Sequence, residues 1–331
     1  MLAPISRDRL TTLLAAARGR RVVVVGDAML DVYLRGDVDR ISPEAPVPVV
    51  RVRDRRDALG GAANVAQNVL AVEAHCALVA AVGDDIAGER LRGLLRAMGG
   101  ATDALVTVGR PTTTKTRLLA RSQQLLRFDE EEDTDLGDAD VARVIGAVSD
   151  ALATADAVIL EDYNKGVLVP AVIEATIRLA TERRVPVIVD PKFRNFFSYR
   201  GATIFKPNRR ELEQALGAAV DLAHAEALPA TLERLDVQHL LLTLSEHGMA
   251  LVSRGGAITR IPTTAREVYD VVGAGDTVTA YLALMLAAGA DAREAAVIAN
   301  YAAGVEVGKL GAATVSPAEV VAAYDALHVT S

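Results

Sequence analysis

Short apolar runs alternate along this chain with segments of helical period. Arg21–Val25, Cys76–Val82, Ala157–Glu161, Val185–Asp190, Thr203–Phe205 and His239–Leu244 are each brief and rich in Val, Ile or Leu, the pattern of strands buried on both faces. Between several of them lie stretches such as Asp85–Met98, Ala139–Ala153 and Pro170–Arg183, which read as helices. This alternation predicts an α/β fold whose mainly parallel central sheet is covered by helices on both faces. Several predicted strands end in polar residues: Gly26-Asp27, Glu161-Asp162, Asp190-Pro191-Lys192 and Lys206-Pro207-Asn208. In open α/β sheets the ligand crevice lies beyond the carboxyl ends of the strands, so chemistry is expected there.

Two segments leave the rhythm. Tyr33–Asp57 holds Pro43, Pro46 and Pro48 in an extended, partly alternating run, and Thr112–Asp129 alternates in strand fashion. They predict a small appended β-sheet lid, inserted at about 33–57 and 112–129 in one domain spanning 1–331, because unstructured loops of that length are uncommon. Such a sheet would cover the crevice or pair with a second copy. The acidic stretch Asp129–Asp140 is expected to be a solvated connection into the next helix.

Composition narrows the function. With 331 residues, 51% hydrophobic and 24% charged, the chain is globular and has no disordered or collagen-like character. A formal charge of −7 argues against a nucleic-acid partner. The lone Cys76 permits no internal disulfide, and the five histidines lack the paired spacing of a zinc site. Met1–Arg21 has no signal-peptide core, which predicts a cytoplasmic protein. The longest strongly apolar stretch, Thr277–Ala290, is shorter than the roughly 20 residues a bilayer requires, so no membrane partner is expected.

The most informative segment is Asp270-Val271-Val272-Gly273-Ala274-Gly275-Asp276-Thr277, which runs straight into an apolar helix. Two glycines let backbone N–H groups approach a ligand, and a helix N-terminus adds partial positive charge, so Gly273, Ala274 and Gly275 form a candidate anion hole. Asp276 would repel a resting phosphate there, yet it suits a general base that takes a proton from an attacking hydroxyl. The competing reading is an ordinary glycine turn with an acidic residue favoured by the helix dipole. A second motif, Gly60-Gly61-Ala62-Ala63-Asn64, also opens a helix, and Asn64 offers an amide to a hydroxyl-rich ligand or simply caps and packs. No G-x-x-x-x-G-K-[ST] loop, no G-x-G-x-x-G after the first strand and no G-x-S-x-G elbow occurs. Walker-type NTPases, nicotinamide enzymes and acyl-transfer hydrolases therefore lose their main support.

Gly60–Asn68 and Asp270–Thr277, in this order and separation, resemble the two signature motifs of the ribokinase, or PfkB, family of carbohydrate kinases, and the resemblance extends over nearly the whole chain. Arg40–Val49, Ser122–Arg127 and Val307–Gly311 resemble the branch that phosphorylates heptose 7-phosphate for the lipopolysaccharide inner core. The resemblance implies a ribokinase-like fold and transfer from ATP, with Mg²⁺, to the sugar C1 hydroxyl, giving the 1,7-bisphosphate. Asp276 would be the base. Asp31, Gly60, Gly61 and Asn64 would hold sugar hydroxyls, and Asn208 and Glu211 match an N-x-x-E motif that positions Mg²⁺, through water, and nucleotide phosphates. Thr243, Ser245 and Gly248 would line the ATP site. Asp270 is a candidate ligand for a monovalent cation such as K⁺, although Val271-Val272 stands where many relatives carry Thr.

A phosphorylated acceptor needs cations in an acidic protein. Lys115, Arg117, Arg121, Arg127, Lys192 and Arg194 lie on segments expected to border the pocket, with Arg117 and Lys192 the preferred pair. The lid is expected to build a homodimer. The alternatives are another ribokinase-like sugar or nucleoside kinase, or a silent sugar or nucleotide sensor, which the intact base argues against. Some relatives carry a fused nucleotidyltransferase with an H-x-G-H motif. This chain has only Glu246-His247-Gly248 and ends at Ser331, so adenylylation is expected of another protein.

Overall fold

Helix α1 (Arg7–Ala17) delivers the chain to β1 (Arg21–Gly26), the first of the buried apolar runs. The computed structural model describes residues 5–120, 123–220, 227–255, 258–265 and 268–328. After Asp27 the chain enters a long hairpin, β2 (Ala28–Ile41) and β3 (Pro48–Gly61), and passes without a spacer into α2 (Ala62–Leu70). Strand β4 (His75–Gly83), helix α3 (Ile86–Ala97) and β5 (Leu105–Val108) precede a second hairpin, β6 (Thr114–Ala120) and β7 (Gln123–Glu130). The α/β rhythm resumes with α4 (Asp138–Leu152), β8 (Ala157–Glu161), α5 (Pro170–Arg183), β9 (Val187–Asp190), β10 (Ile204–Phe205), α6 (Arg209–Leu216), α7 (Ala227–Leu235) and β11 (His239–Thr243). A 3-10 turn (Ser245–His247), β12 (Met249–Ser253) and β13 (Ile258–Ile261) lead to α8 (Ala274–Ala287), α9 (Ala292–Glu306) and α10 (Pro317–His328).

The central sheet has the order β13-β12-β11-β10-β9-β8-β1-β4-β5. Its strands are parallel from β11 through β5, and β12 and β13 run antiparallel at one edge. Because β1 lies between β8 and β4, strand order reverses there, and the crevice expected at such a switch point opens beyond Gly26, Glu161 and Asp190. One face is covered by α1, α2, α3, α8, α9 and α10, and the other by α4, α5, α6 and α7. Helix α8 is buried without a break from Asp276 to Met285, as a helix apolar on all sides must be. Each of its leucines contributes about 1.5–3 kcal/mol by leaving water, which anchors the helix whose first turn carries Asp276.

The two irregular segments join in a second sheet of order β3-β2-β6-β7, in which only the β2–β6 pair is parallel. Pro43 and Pro46 fall in the hairpin turn and Pro48 begins β3, positions where a missing N–H costs no ladder bond. The joints to the body are tight. Ala62 N–H donates to Asp27 C=O at 3.0 Å. Gly61 has φ +57°, and a Cβ there would lie 2.4 Å from the same oxygen.

The apolar pattern left β5, β12 and β13 unpredicted. The acidic stretch also corrects the expectation of a merely solvated connection. Asp129 and Glu131 pair with Lys115, Glu131 also with Lys165, and Asp133 with Arg194, so it clamps the lid and the β9 end to each other.

Candidate active site

Asp276 sits in the first turn of α8, behind an N-cap Gly273 whose φ of +98° favours glycine. Its carboxylate is buried and both oxygens are held. Asn64 Nδ2 donates to Oδ2 at 2.5 Å and the Tyr163 hydroxyl donates to Oδ1 at 2.8 Å. Gln67 donates to the Asn64 side-chain oxygen, which fixes that amide's orientation. Burial raises the Asp276 pKa to about 6; Asp190 adds to the rise, while Asn64, Tyr163 and Lys206 oppose it. The group is therefore ionised at neutral pH and basic enough to take a proton. Burial beside Asp276 keeps the Tyr163 phenol well above its ordinary pKa, so it remains a donor.

Beneath this base lies a charge cluster at the ends of β8, β9 and β10. Lys206 Nζ meets Asp190 Oδ2 at 2.7 Å, both nearly solvent-free. A Cβ on Gly275 would touch this pair at 3.8 and 3.9 Å. Carboxylate oxygens of Glu161, Asp190 and Asp276 lie within 4.8 Å of one another. Both oxygens of Glu161 are buried without a hydrogen-bond partner. Burial, then Asp190 and Asp276, push its pKa well up, which favours the protonated acid. Burial works against Asp190 too, but Lys206 and Lys192 hold it below the usual carboxylate range. Behind the anion hole, Glu306 Oε1 would lie 3.1 Å from a Cβ on Gly273. Burial, then Asp270 and Asp276, raise Glu306 to about 8 against the Ala313 N–H and Lys309, so it stands neutral at pH 7.

The remaining residues fall into two cavities flanking the α8 turn. One, of about 360 Å³, is lined by Thr243, Ser245 and Gly248 beyond β11 and by Ala274 and Gly275. The other, of about 340 Å³, lies between the four-stranded sheet and the turn, and includes Asp31, Arg117 and Asp270. Arg117 donates to Asp31 at 2.5 Å and stacks over the Tyr33 ring. Gly60 leaves room for Asp31, since a Cβ there would lie 2.5 Å from Oδ2 and displace the Asp31 side chain. Asp270 accepts from the Val272 and Gly311 N–H groups, at 3.0 and 3.2 Å.

Three expectations change. Asn64 donates to the base and does not stand free in a sugar pocket. Asn208 and Glu211 form a capping box on α6, each side chain accepting the other's backbone N–H at 2.8 Å. Lys192 does not join Arg117: it ion-pairs with Glu211 at 2.6 Å and stacks over Tyr163, outside the cavity that holds Arg117. Lys115, Arg127 and Arg194 are paired with carboxylates, and Arg121 lies outside the described residues. Tyr163, Glu161, Asp190 and Lys206 were not singled out as site residues. The polar strand ends marked the last three, and Tyr163 follows directly on Glu161-Asp162.

A match to the pfkB family carbohydrate kinase profile spans residues 20–319. The chain belongs to the pfkB family of carbohydrate kinases. Over 326 residues this pfkB kinase is 46% identical to the Bifunctional protein HldE of Rhodospirillum rubrum, covering 97% of this chain and 66% of that one. It is 48% identical over 308 residues to the Bifunctional protein HldE of Gluconacetobacter diazotrophicus, covering 92% of this chain and 64% of that one. The chain thus spans about two thirds of the length of these curated relatives. Ribokinase of Arabidopsis thaliana, solved with ribose and ATP, shares the fold at a TM-score of 0.72 and 21% identity, covering 92% of this chain and 98% of its own. As a pfkB kinase the chain is an enzyme, and its fold is ribokinase-like. No helix among the described residues is long and apolar enough to cross a membrane.

Proposed function

We propose that this kinase transfers the γ-phosphoryl group of ATP to the C1 hydroxyl of D-glycero-β-D-manno-heptose 7-phosphate, giving the 1,7-bisphosphate. The reaction would serve ADP-heptose and lipopolysaccharide core synthesis in the cytoplasm. The observation that carries this reading is an ionised, buried Asp276 at a glycine-lined helix N-terminus, whose turn lends residues to the walls of two cavities. On the acceptor side, Asp276 takes the C1 hydroxyl proton as that oxygen bonds to the γ-phosphorus and the bond to ADP breaks. Tyr163 and Asn64 aim the carboxylate, and the Gly273–Gly275 amides face the charge on the transferring group. On the donor side, the apolar walls at Val268, Val278 and Val307 suit an adenine, while Gly275 and the strand-end Thr243 suit phosphates. Lys192, beside Tyr163, adds a cation near the transferring group. Both Glu211 oxygens are engaged, by Lys192 and by the Asn208 N–H, which fits a role toward Mg²⁺ through water. Bound Mg²⁺ neutralises charge on the transferring phosphates. K⁺ beside Asp270 belongs to the same reading.

The test is a panel of sugars with and without a terminal phosphate, following ADP release. Heptose 7-phosphate is expected to give the highest kcat/KM, and a preference for any unphosphorylated sugar overturns the acceptor assignment.

The same reading includes a homodimer through the lid. Leu118 and Leu126 pair across β6 and β7, and Thr116 pairs with Phe128, on the face opposite Arg117. Leu126 and Phe128 are 53% and 44% exposed, a liability for a sheet left uncovered. Sedimentation at micromolar concentration is expected to show a dimer that Leu126→Asp dissociates. A monomeric wild type counts against it.

A further inference from the structure

The cavity beneath the four-stranded sheet is lined by three guanidinium groups, those of Arg35 on β2, Arg56 on β3 and Arg117 on β6. Strand register places them there. Tyr33 faces Arg56 on one neighbouring strand and Arg117 on the other, and Arg35, two residues beyond Tyr33, shares its face of the pleat. Arg117 is committed to Asp31. Arg35 and Arg56 have no carboxylate within ion-pair distance among the described residues, whereas Arg53 and Arg55 of β3 pair with Asp37 and Asp57. The cavity's two acids are already engaged, Asp31 by Arg117 and Asp270 by backbone N–H groups. In a chain of net charge −7, this cavity carries two guanidinium groups without an ion pair; the nearest cross-strand carboxylate, Asp54 opposite Arg35 on the same face, reaches neither.

We propose that Arg35 and Arg56, together with Arg117, form the subsite for a phosphate monoester that the sugar already carries and that the reaction leaves intact. The assignment rests on the phosphorylated acceptor proposed above and replaces Lys192, which stands with Glu211, by two arginines of the lid. Asp270 and Val272, which shortly precede Gly273 and Asp276 in the chain, also line the cavity. A sugar lying along it therefore presents its reacting hydroxyl to the base while its phosphate meets the lid. Guanidinium groups suit this task because their planar fork matches two phosphate oxygens at once. Because both arginines belong to the lid strands, substrate choice is made by the sheet and chemistry by the body.

The experiment compares Arg35→Ala, Arg56→Ala and the double variant with wild type on heptose 7-phosphate, on the same heptose without its phosphate, and on ATP. Each single change is expected to raise KM for the phosphorylated sugar about tenfold or more, as loss of a charge-assisted contact does. The double variant should exceed either single change, with kcat, KM for ATP and kcat/KM for the unphosphorylated sugar within about twofold of wild type. Arg56→Lys should recover part of the loss, and Arg51→Ala, on the same strand but outside the cavity, should behave as wild type. Equal losses on both sugars, or no loss on either, overturn the arginine assignment. A wild type that does not distinguish the two sugars overturns the acceptor reading itself, and this inference with it.

Discussion

Asp276→Asn is expected to reduce phosphoryl transfer by about 10²–10⁴-fold, the range of general-base loss, while ATP binding persists. The substitution is nearly isosteric. The new amide oxygen still accepts from Asn64, and its NH₂ donates to Tyr163 once that hydroxyl rotates, so both contacts survive. What disappears is the proton acceptor. In the wild type, kcat/KM should fall as pH drops through about 6, because burial sets the Asp276 pKa there and protonation removes the base. The groups that fix this limb are Asn64, Tyr163, Asp190 and Lys206. Turnover of the variant above about a tenth of wild type, against the loss expected of a missing base, would remove Asp276 from that role.

The second large effect is expected of Lys206→Met. Lys206 is the cation in hydrogen-bond contact with the buried acids, at 2.7 Å from Asp190. Breaking one side of a buried ion pair costs about 3–5 kcal/mol, because the other charge stays behind unpaired. Methionine fills the space, so the loss is electrostatic and not a cavity. Without Lys206 the folded-state pKa of Asp190 rises above its unfolded value, and such a group loses stability as pH rises through the folded pKa. The stability gap from wild type should therefore be wider at about pH 8 than at about pH 5. Urea unfolding at both pH values checks this, and a gap independent of pH would locate the cost in packing. The variant's kcat/KM should also show its acid limb displaced upward, since Lys206 is one of the groups that hold the Asp276 pKa down.

Both predictions concern a site only half legible in the sequence. The Asp270–Thr277 string announced its base because glycines, an acid and an apolar helix stand next to one another in the chain. The lid was legible because prolines and period-two alternation mark extended backbone locally. Lys206 and Glu161 were legible only as polar strand ends and not as a cluster, since they are 45 residues apart in number and meet only when β8, β9 and β10 lie in register. Asn208 and Glu211 show the converse. Their three-residue spacing fits a phosphate motif and a capping box equally, and the backbone forms the capping box whichever role the pair has toward phosphates. Arg117 and Lys192 looked like partners because both neighbour the pocket, but β6 and the β9 end deliver them to different cavities. Strand β13, four residues long at the sheet edge, carried too weak a pattern to register.

The absence of slack between the two sheets bears on how this enzyme can be rebuilt. One residue, Asp27, separates β1 from β2, and none separates β3 from α2. The carboxylate of Asp27 also accepts the N–H groups of Tyr163, Lys165 and Val167, at 2.8, 3.0 and 3.1 Å, while α2 carries Asn64. The two joints of the lid are thus the supports of the two side chains that grip Asp276. A chimera that takes its lid from another sugar kinase cannot be cut at these seams without disturbing the base. Workable crossovers lie further out, beyond Tyr33 on β2 and between Arg56 and Gly60 on β3, where the transplant carries its donor's residues at 35 and 56 and leaves the supports of Asp276 native.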